Sequence, residues 1–327
     1  MVARRVGGSE DAPPVLALRQ RLGELATLAG EGGGPQRWER LGDCEVVVPS
    51  GQFPWGVVFF LGGAVLGQYP KLCYDSLLRP LADRTGCAVV AVPYETDTDH
   101  RALAASADSR FRDALALAAD RYGWAVERMP VFGLGHSLGA KLHVIRHSTG
   151  VEGARSEPLA VMAFNNFGLS DSLTLAKEAL QAFQGGSVSP TVDAVWNMLQ
   201  PLAQQAAKNA GMEFTPDPGE MEDMIRAGYA AKSTRIIGFG IDQLDCGADL
   251  SDAASETGSG PIVCRDLPGN HLTPVFFSVG DLAGEALGGA GAMGQRAAKA
   301  AQQQRFEVGD QQELDALLEE LAAWLRP

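Results

Sequence analysis

The chain has 327 residues, 46% of them apolar and 20% charged, which is enough apolar material for a large core and too much for a disordered chain. A formal charge of −13 argues against a nucleic-acid partner, which needs clustered Lys and Arg, and against an anionic membrane surface. The five cysteines, Cys44, Cys73, Cys87, Cys246 and Cys264, show no C-x-x-C spacing; this disfavours a disulfide framework or a zinc site and points to a soluble protein of a reducing compartment.

No run approaches the roughly 18 apolar residues of a membrane span. Met1–Gly8 carries two arginines with no apolar stretch behind it, unlike a secretory signal. Residues 1–35 read as a helical extension, because Leu16, Leu18, Leu22, Leu25 and Leu28 recur at helical spacings within Val15–Ala29. Residues 36–169 read as the first part of an α/β core. Strand-like runs at Cys44–Pro49, Gly56–Leu61, Cys87–Pro93, Pro130–Leu134 and Leu159–Phe164 are separated by helical patterns at Leu72–Arg84, Arg101–Tyr122 and Leu138–His147. Crossovers of that length imply parallel pairing, hence a doubly wound, mostly parallel sheet. Residues 170–232 lack strand patterns. They hold helical stretches at Leu173–Phe183 and Val192–Asn209, broken at Gly185–Pro190, and read as a helical cap inserted into the core. Residues 233–327 resume the core with strands Thr234–Phe239 and Ile262–Leu267, a Gly/Ala-rich loop over Gly280–Ala300 and a closing amphipathic helix, Gln311–Leu325.

The most informative stretch is Pro130–Gly139, where an apolar strand runs into Gly135-His136-Ser137-Leu138-Gly139 and a helix follows. This is the pattern of a nucleophile elbow, in which two glycines let a tight turn lift a serine hydroxyl above the sheet edge. Gly133, Gly135 and Gly139 also spell a dinucleotide loop, but several βα units precede it, and Tyr229 and Lys232 have the wrong spacing for a reductase pair. A serine nucleophile needs a base. His271, in Pro268-Gly269-Asn270-His271 just after the last expected strand, stands where that base belongs. His143 and His147 lie on the helix after the elbow and lack the Glu of zinc-protease chemistry. The acid should follow the preceding strand, where Asp242 is the first choice and Asp245 the second. The oxyanion donors should be the Leu138 N–H and that of Gly63 or Ala64, in a glycine turn after an early strand. His136 inside the elbow, His100 at a strand end, and Asn165 and Asn166 at another strand end are candidates for substrate contact. For His100 the competing role is a helix start, and for the two amides it is anchoring the cap.

Four stretches together resemble a known family: Phe60–Ala64, Gly135–His143, Phe164-Asn165-Asn166-Phe167 and Leu267–Pro274. They are similar to the α/β-hydrolases designated domain of unknown function 1350, whose Asp-Gln element Asp242-Gln243 also matches. The resemblance implies an α/β-hydrolase fold with a serine-hydrolase-like site. It also implies a photosynthetic lineage, and hence a plastid or the cytoplasm. The expected activity is cleavage or transfer of an ester or thioester of a small-molecule or lipid-like acyl substrate, with no metal or organic cofactor. The alternative is a catalytically silent fold used for binding.

Overall fold

The computed structural model describes residues 19, 20, 23, 37–151, 153–168, 213–242, 244–278 and 307–326. The expected cap helices and the Gly280–Ala300 loop lie outside these, as does the Val15–Ala29 helix apart from Arg19, Gln20 and Gly23.

Eight strands form one sheet: β1 (Trp38–Leu41), β2 (Cys44–Val47), β3 (Gly56–Leu61), β4 (Cys87–Ala91), β5 (Val131–His136), β6 (Pro158–Met162), β7 (Ser233–Phe239) and β8 (Ile262–Leu267). Their order is β1-β2-β4-β3-β5-β6-β7-β8. β2 runs antiparallel to both neighbours, and every other pair is parallel. This is the α/β-hydrolase fold. β1 was not legible, because Glu39 and Arg40 break its apolar pattern; it pairs with β2 through a turn at Gly42, whose φ of 59° suits a hairpin turn.

The helices are α1 (Pro70–Cys73), α2 (Asp75–Thr85), α3 (His100–Tyr122), α4 (Leu138–Ser148), α5 (Pro218–Gly228), α6 (Gly247–Ser255) and α7 (Gln311–Trp324). The helix expected over Leu72–Arg84 is in fact two, parted at Tyr74 with φ −127° and ψ 7°. Helices α2 and α7 cover one sheet face, setting Leu77, Leu81, Leu314 and Leu318 against Val58, Phe60, Leu134 and Ile237. Helices α3 to α6 cover the other, with Phe111, Leu142, Ile225 and Leu250 against Val57, Phe59, Val161 and Ile236. Both faces of β3 are therefore covered, which is why its six residues form an unbroken apolar run. Helix α5, from the last part of the segment read as a cap, packs on α4 and α6 with Met221 and Ile225 buried. Arg146 of α4 is buried with Asp108 of α3 and Glu157 before β6, each contacting its guanidinium at 2.5 Å. This charge cluster fixes the helix that carries the elbow.

The carboxyl ends of β3, β5, β6, β7 and β8 lead respectively to Gly63, Ser137, Asn166, Asp242 and His271. In open α/β sheets ligands bind at that edge.

Candidate active site

Ser137 sits between β5 and α4 with φ 54° and ψ −118°, a conformation that L-residues seldom adopt. The turn closes only because its flanking residues are glycines. A Cβ on Gly135 would lie 2.6 Å from the backbone of Ala140, and one on Gly139 would lie 2.1 Å from the Leu61 carbonyl oxygen. Helix α4 can thus press its first turn against the end of β3.

The Ser137 hydroxyl lies 2.9 Å from His271 Nε2, and His271 Nδ1 lies 2.8 Å from Asp242 Oδ2. With Nδ1–H donating to the carboxylate, Nε2 is left to accept the serine proton. The Asp242 side chain is 1% exposed and that of His271 12%, so the pair is shielded while the base keeps an opening to solvent. The remaining oxygen of Asp242 accepts from the Leu244 N–H at 2.9 Å. The loops of Asp242 and His271 are stitched together, since Gly240 N–H donates to Leu267 O and Ile241 N–H to Gly269 O, both at 3.0 Å.

The base loop has its own tether. Gly269 has φ 127°, and a Cβ there would fall 2.1 Å from Thr273 Oγ1. That hydroxyl accepts from Asn270 N–H at 2.9 Å and donates to Glu313 in the first turn of α7 at 3.0 Å.

Residues 37–327 match the family described as "Protein of unknown function (DUF1350)". The chain belongs to that family. Among solved structures, this DUF1350 chain is similar to an esterase from the bacterial hormone-sensitive lipase family, with TM-score 0.49 and 14% identity over 97% of this chain and 99% of that one. It is also similar to a thermostable esterase from Pseudomonas putida ECU1011, with TM-score 0.48 and 14% identity over 89% and 91% of the two chains. A dienelactone hydrolase from Anabaena variabilis ATCC 29413 matches with TM-score 0.45 and 13% identity over 88% and 94%. No curated protein matches the sequence.

Several residues of the DUF1350 chain stand elsewhere than their sequence suggested. Asp245, the second choice for the acid, does not touch His271; it accepts from the Gly247 N–H at 3.0 Å and lies under Gly238. Burial pushes its carboxyl up to about 6, against the pull of the Gly247 N–H, and Asp242 adds to the rise. Gly63 is not a free oxyanion donor, because its N–H donates to Tyr74 Oη at 2.8 Å. Ala64 next to it is exposed, and among the described residues no hydrogen bond uses its N–H. Leu138 opens α4, so its N–H has no partner within the helix.

His136 does not face a substrate. It is 1% exposed, and its ring nitrogens contact Tyr74 Oη at 2.9 Å and the His271 carbonyl at 2.8 Å. Burial, with help from His271, holds its pKa down to about 3. His100 is also buried; it is the first residue of α3, its ring lies over Phe214 at 4.4 Å, and neither ring nitrogen has a hydrogen bond. Asn165 Oδ1 accepts from Phe167 N–H at 2.9 Å. Asn166 Nδ2 donates to Pro218 O at 3.1 Å, so this amide anchors the segment entering α5, while its Oδ1 has no partner.

Sequence reasoning missed Tyr74, which lies inside a helical apolar pattern. It also missed Lys141, one turn beyond Ser137, which is 1% exposed and donates to Pro216 O at 3.4 Å. Burial holds the Lys141 amine down to about 8. Among the described residues no group of three His, Cys, Asp or Glu could hold a metal, and no helix is long and apolar enough to cross a membrane.

Proposed function

We propose that this protein is a serine hydrolase that cleaves an ester or thioester through an acyl-enzyme. One observation carries the reading: a serine on a strained strand-to-helix turn lies 2.9 Å from an imidazole that a buried carboxylate orients at 2.8 Å. Ser137 Oγ attacks the substrate carbonyl as its proton passes to His271 Nε2. Asp242 holds the imidazole in the correct tautomer and stabilises the imidazolium. The N–H groups of Leu138 and Ala64 receive the oxyanion, aided by the positive end of α4. As the tetrahedral intermediate collapses, His271 returns the proton to the leaving oxygen or sulfur. A water, deprotonated by the same His271, then releases the acid and restores Ser137. Another alcohol or thiol in place of that water makes the reaction an acyl transfer.

Ile241 is 75% exposed one residue from Asp242, so the acid loop offers an apolar contact that suits a lipophilic acyl group. The five cysteines are free thiols, which fits a reducing compartment such as the cytoplasm or a plastid.

The test is a fluorophosphonate probe followed by a series of acyl esters and thioesters of increasing chain length. Wild type should label and turn over, and Ser137→Ala should do neither. A well-folded wild type that resists the probe would leave a binding protein as the better reading.

A further inference from the structure

We propose that Tyr74 and His136 are positioning residues that tie the oxyanion loop to the loop of the base, behind Ser137. The proposal rests on the serine-hydrolase reading and adds two residues that the triad does not include.

The direction of every proton in this chain of contacts is forced. The His271 carbonyl can only accept, so His136 Nε2 at 2.8 Å is the donor. Burial keeps the His136 ring neutral, so its Nδ1 holds a lone pair and must accept. The only proton available to it is that of Tyr74 Oη at 2.9 Å. Burial pushes the Tyr74 phenol well up, so it remains a protonated donor. Its oxygen is then left to accept from the Gly63 N–H at 2.8 Å. Gly63 N–H, Tyr74 O–H and His136 Nε2–H thus form one unidirectional wire ending on His271 O. Tyr74 is 0% exposed and His136 1%, so the two bonds that Tyr74 makes are shielded from water, and the bond to His271 O is partly buried.

The two ends of the wire matter for the reaction. At one end it fixes the Gly63 amide, and the next N–H along the backbone is that of Ala64. A second buried tyrosine pins the same turn from the other side, with Tyr94 Oη donating to the Gly62 carbonyl at 2.5 Å. The fit is close: a Cβ on Gly62 would meet the Tyr74 ring at 2.8 Å, and one on Gly63 would lie 3.4 Å from Ser137 Cβ. At the other end the wire holds the backbone of the base and leaves its ring free for Ser137 and Asp242. The loops after β3 and β8 are far apart in the sheet order, yet neither can shift without breaking a bond of this wire. Donors held in place before substrate arrives need no rearrangement when charge develops.

Tyr74→Phe removes the hydroxyl and keeps the ring. Loss of a direct oxyanion donor costs about 100- to 1,000-fold in kcat, and loss of a group that only aims one should cost about 10- to 100-fold. We expect kcat to fall in that range, KM to stay within about twofold, and affinity for a trifluoromethyl ketone analogue of the substrate to weaken in step with kcat. A purely structural tyrosine would lower thermal stability without that parallel loss. In a second arm, His136→Gln, which can still donate towards His271 O, should keep at least about tenfold more kcat than His136→Leu. The proposal is overturned if Tyr74→Phe matches wild type in kcat and analogue affinity, or if the Gln and Leu variants at position 136 are equal. A wild type that neither labels nor turns over removes the hydrolase reading itself; an active wild type with indifferent variants removes only the wire.

Discussion

Two groups of buried polar side chains flank the start of α4, and they are finished differently. Around Ser137, the side-chain donors and acceptors of Tyr74, His136, His271 and Asp242 are hydrogen-bonded in one connected set. One helical turn along, among the described residues, Lys141 has a single 3.4 Å hydrogen bond, and both His100 nitrogens and Asn166 Oδ1 lack hydrogen-bond partners. A satisfied buried network is rigid and specifies one geometry, whereas unpaired buried groups subtract from stability by about 1–3 kcal/mol each. The contrast shows where the fold has been held to a fixed arrangement and where it tolerates loss. Substitutions in the two groups should therefore fail in different ways, the first in chemistry and the second in stability.

The largest effect belongs to the first group. Ser137→Ala or His271→Ala should reduce kcat by about 10⁴-fold or more in steady-state ester hydrolysis. Retention within tenfold of wild type would place the chemistry elsewhere. Asp242→Asn should cost about 10⁴-fold, since it presents the wrong tautomer of the base. Asp245→Asn should stay within threefold in the same assay, which separates the two carboxylates. Gly139→Ala tests the scaffold beneath the network. Its methyl would lie 2.1 Å from the Leu61 carbonyl oxygen, and overpacking of this kind costs about 3 kcal/mol, measurable by urea unfolding.

The second group is read through pH. Lys141 has a native pKa near 8 against 10.5 for the free side chain. Between those values the unfolded chain binds more protons at this side chain, so the Lys141 contribution to stability rises with pH across that window. Lys141→Met should remove that contribution, so the stability of wild type relative to the variant should rise by about 2–3 kcal/mol in denaturant titrations run from pH 7 to pH 10.5. A variant with the same pH slope as wild type would erase the contrast. The smallest effect is at Asp245, whose carboxyl is raised from 3.8 to about 6. There the native state holds the extra proton, so the Asp245 contribution to stability falls as pH rises from about 4 to 6. Asp245→Asn should remove that fall, a gain of about 1–2 kcal/mol above pH 6 after discounting for partial exposure.

The parts of the site visible in the sequence were those with short-range signatures. The apolar run at Gly56–Leu61 and the strand expected over Ile262–Leu267 coincide with β3 and β8. Gly135, Ser137 and Gly139 spell their turn within five residues, and a Pro-Gly turn after a strand marked the loop of His271. What stayed hidden depends on contacts between distant residues. The Tyr74 to His136 bond spans 62 positions, and the His136 to His271 bond spans 135. No spacing rule announces such pairs. A glycine turn after a strand suggested Gly63 as a donor, but nothing local shows that a tyrosine has already taken its N–H. In the same way, the pattern of Arg101–Tyr122 announced α3 but not that His100 at its head would be buried without partners.

The bond between Thr273 and Glu313 ties the site to the far end of the chain. Ser137 and Asp242 both precede residue 250 and His271 follows β8, but the loop of His271 is braced by the opening turn of α7 some 40 positions later. The loop of His271 is therefore complete only when α7 is folded against it. A helix that contributes no side chain to the contacts around Ser137 thus helps to set where the His271 ring sits.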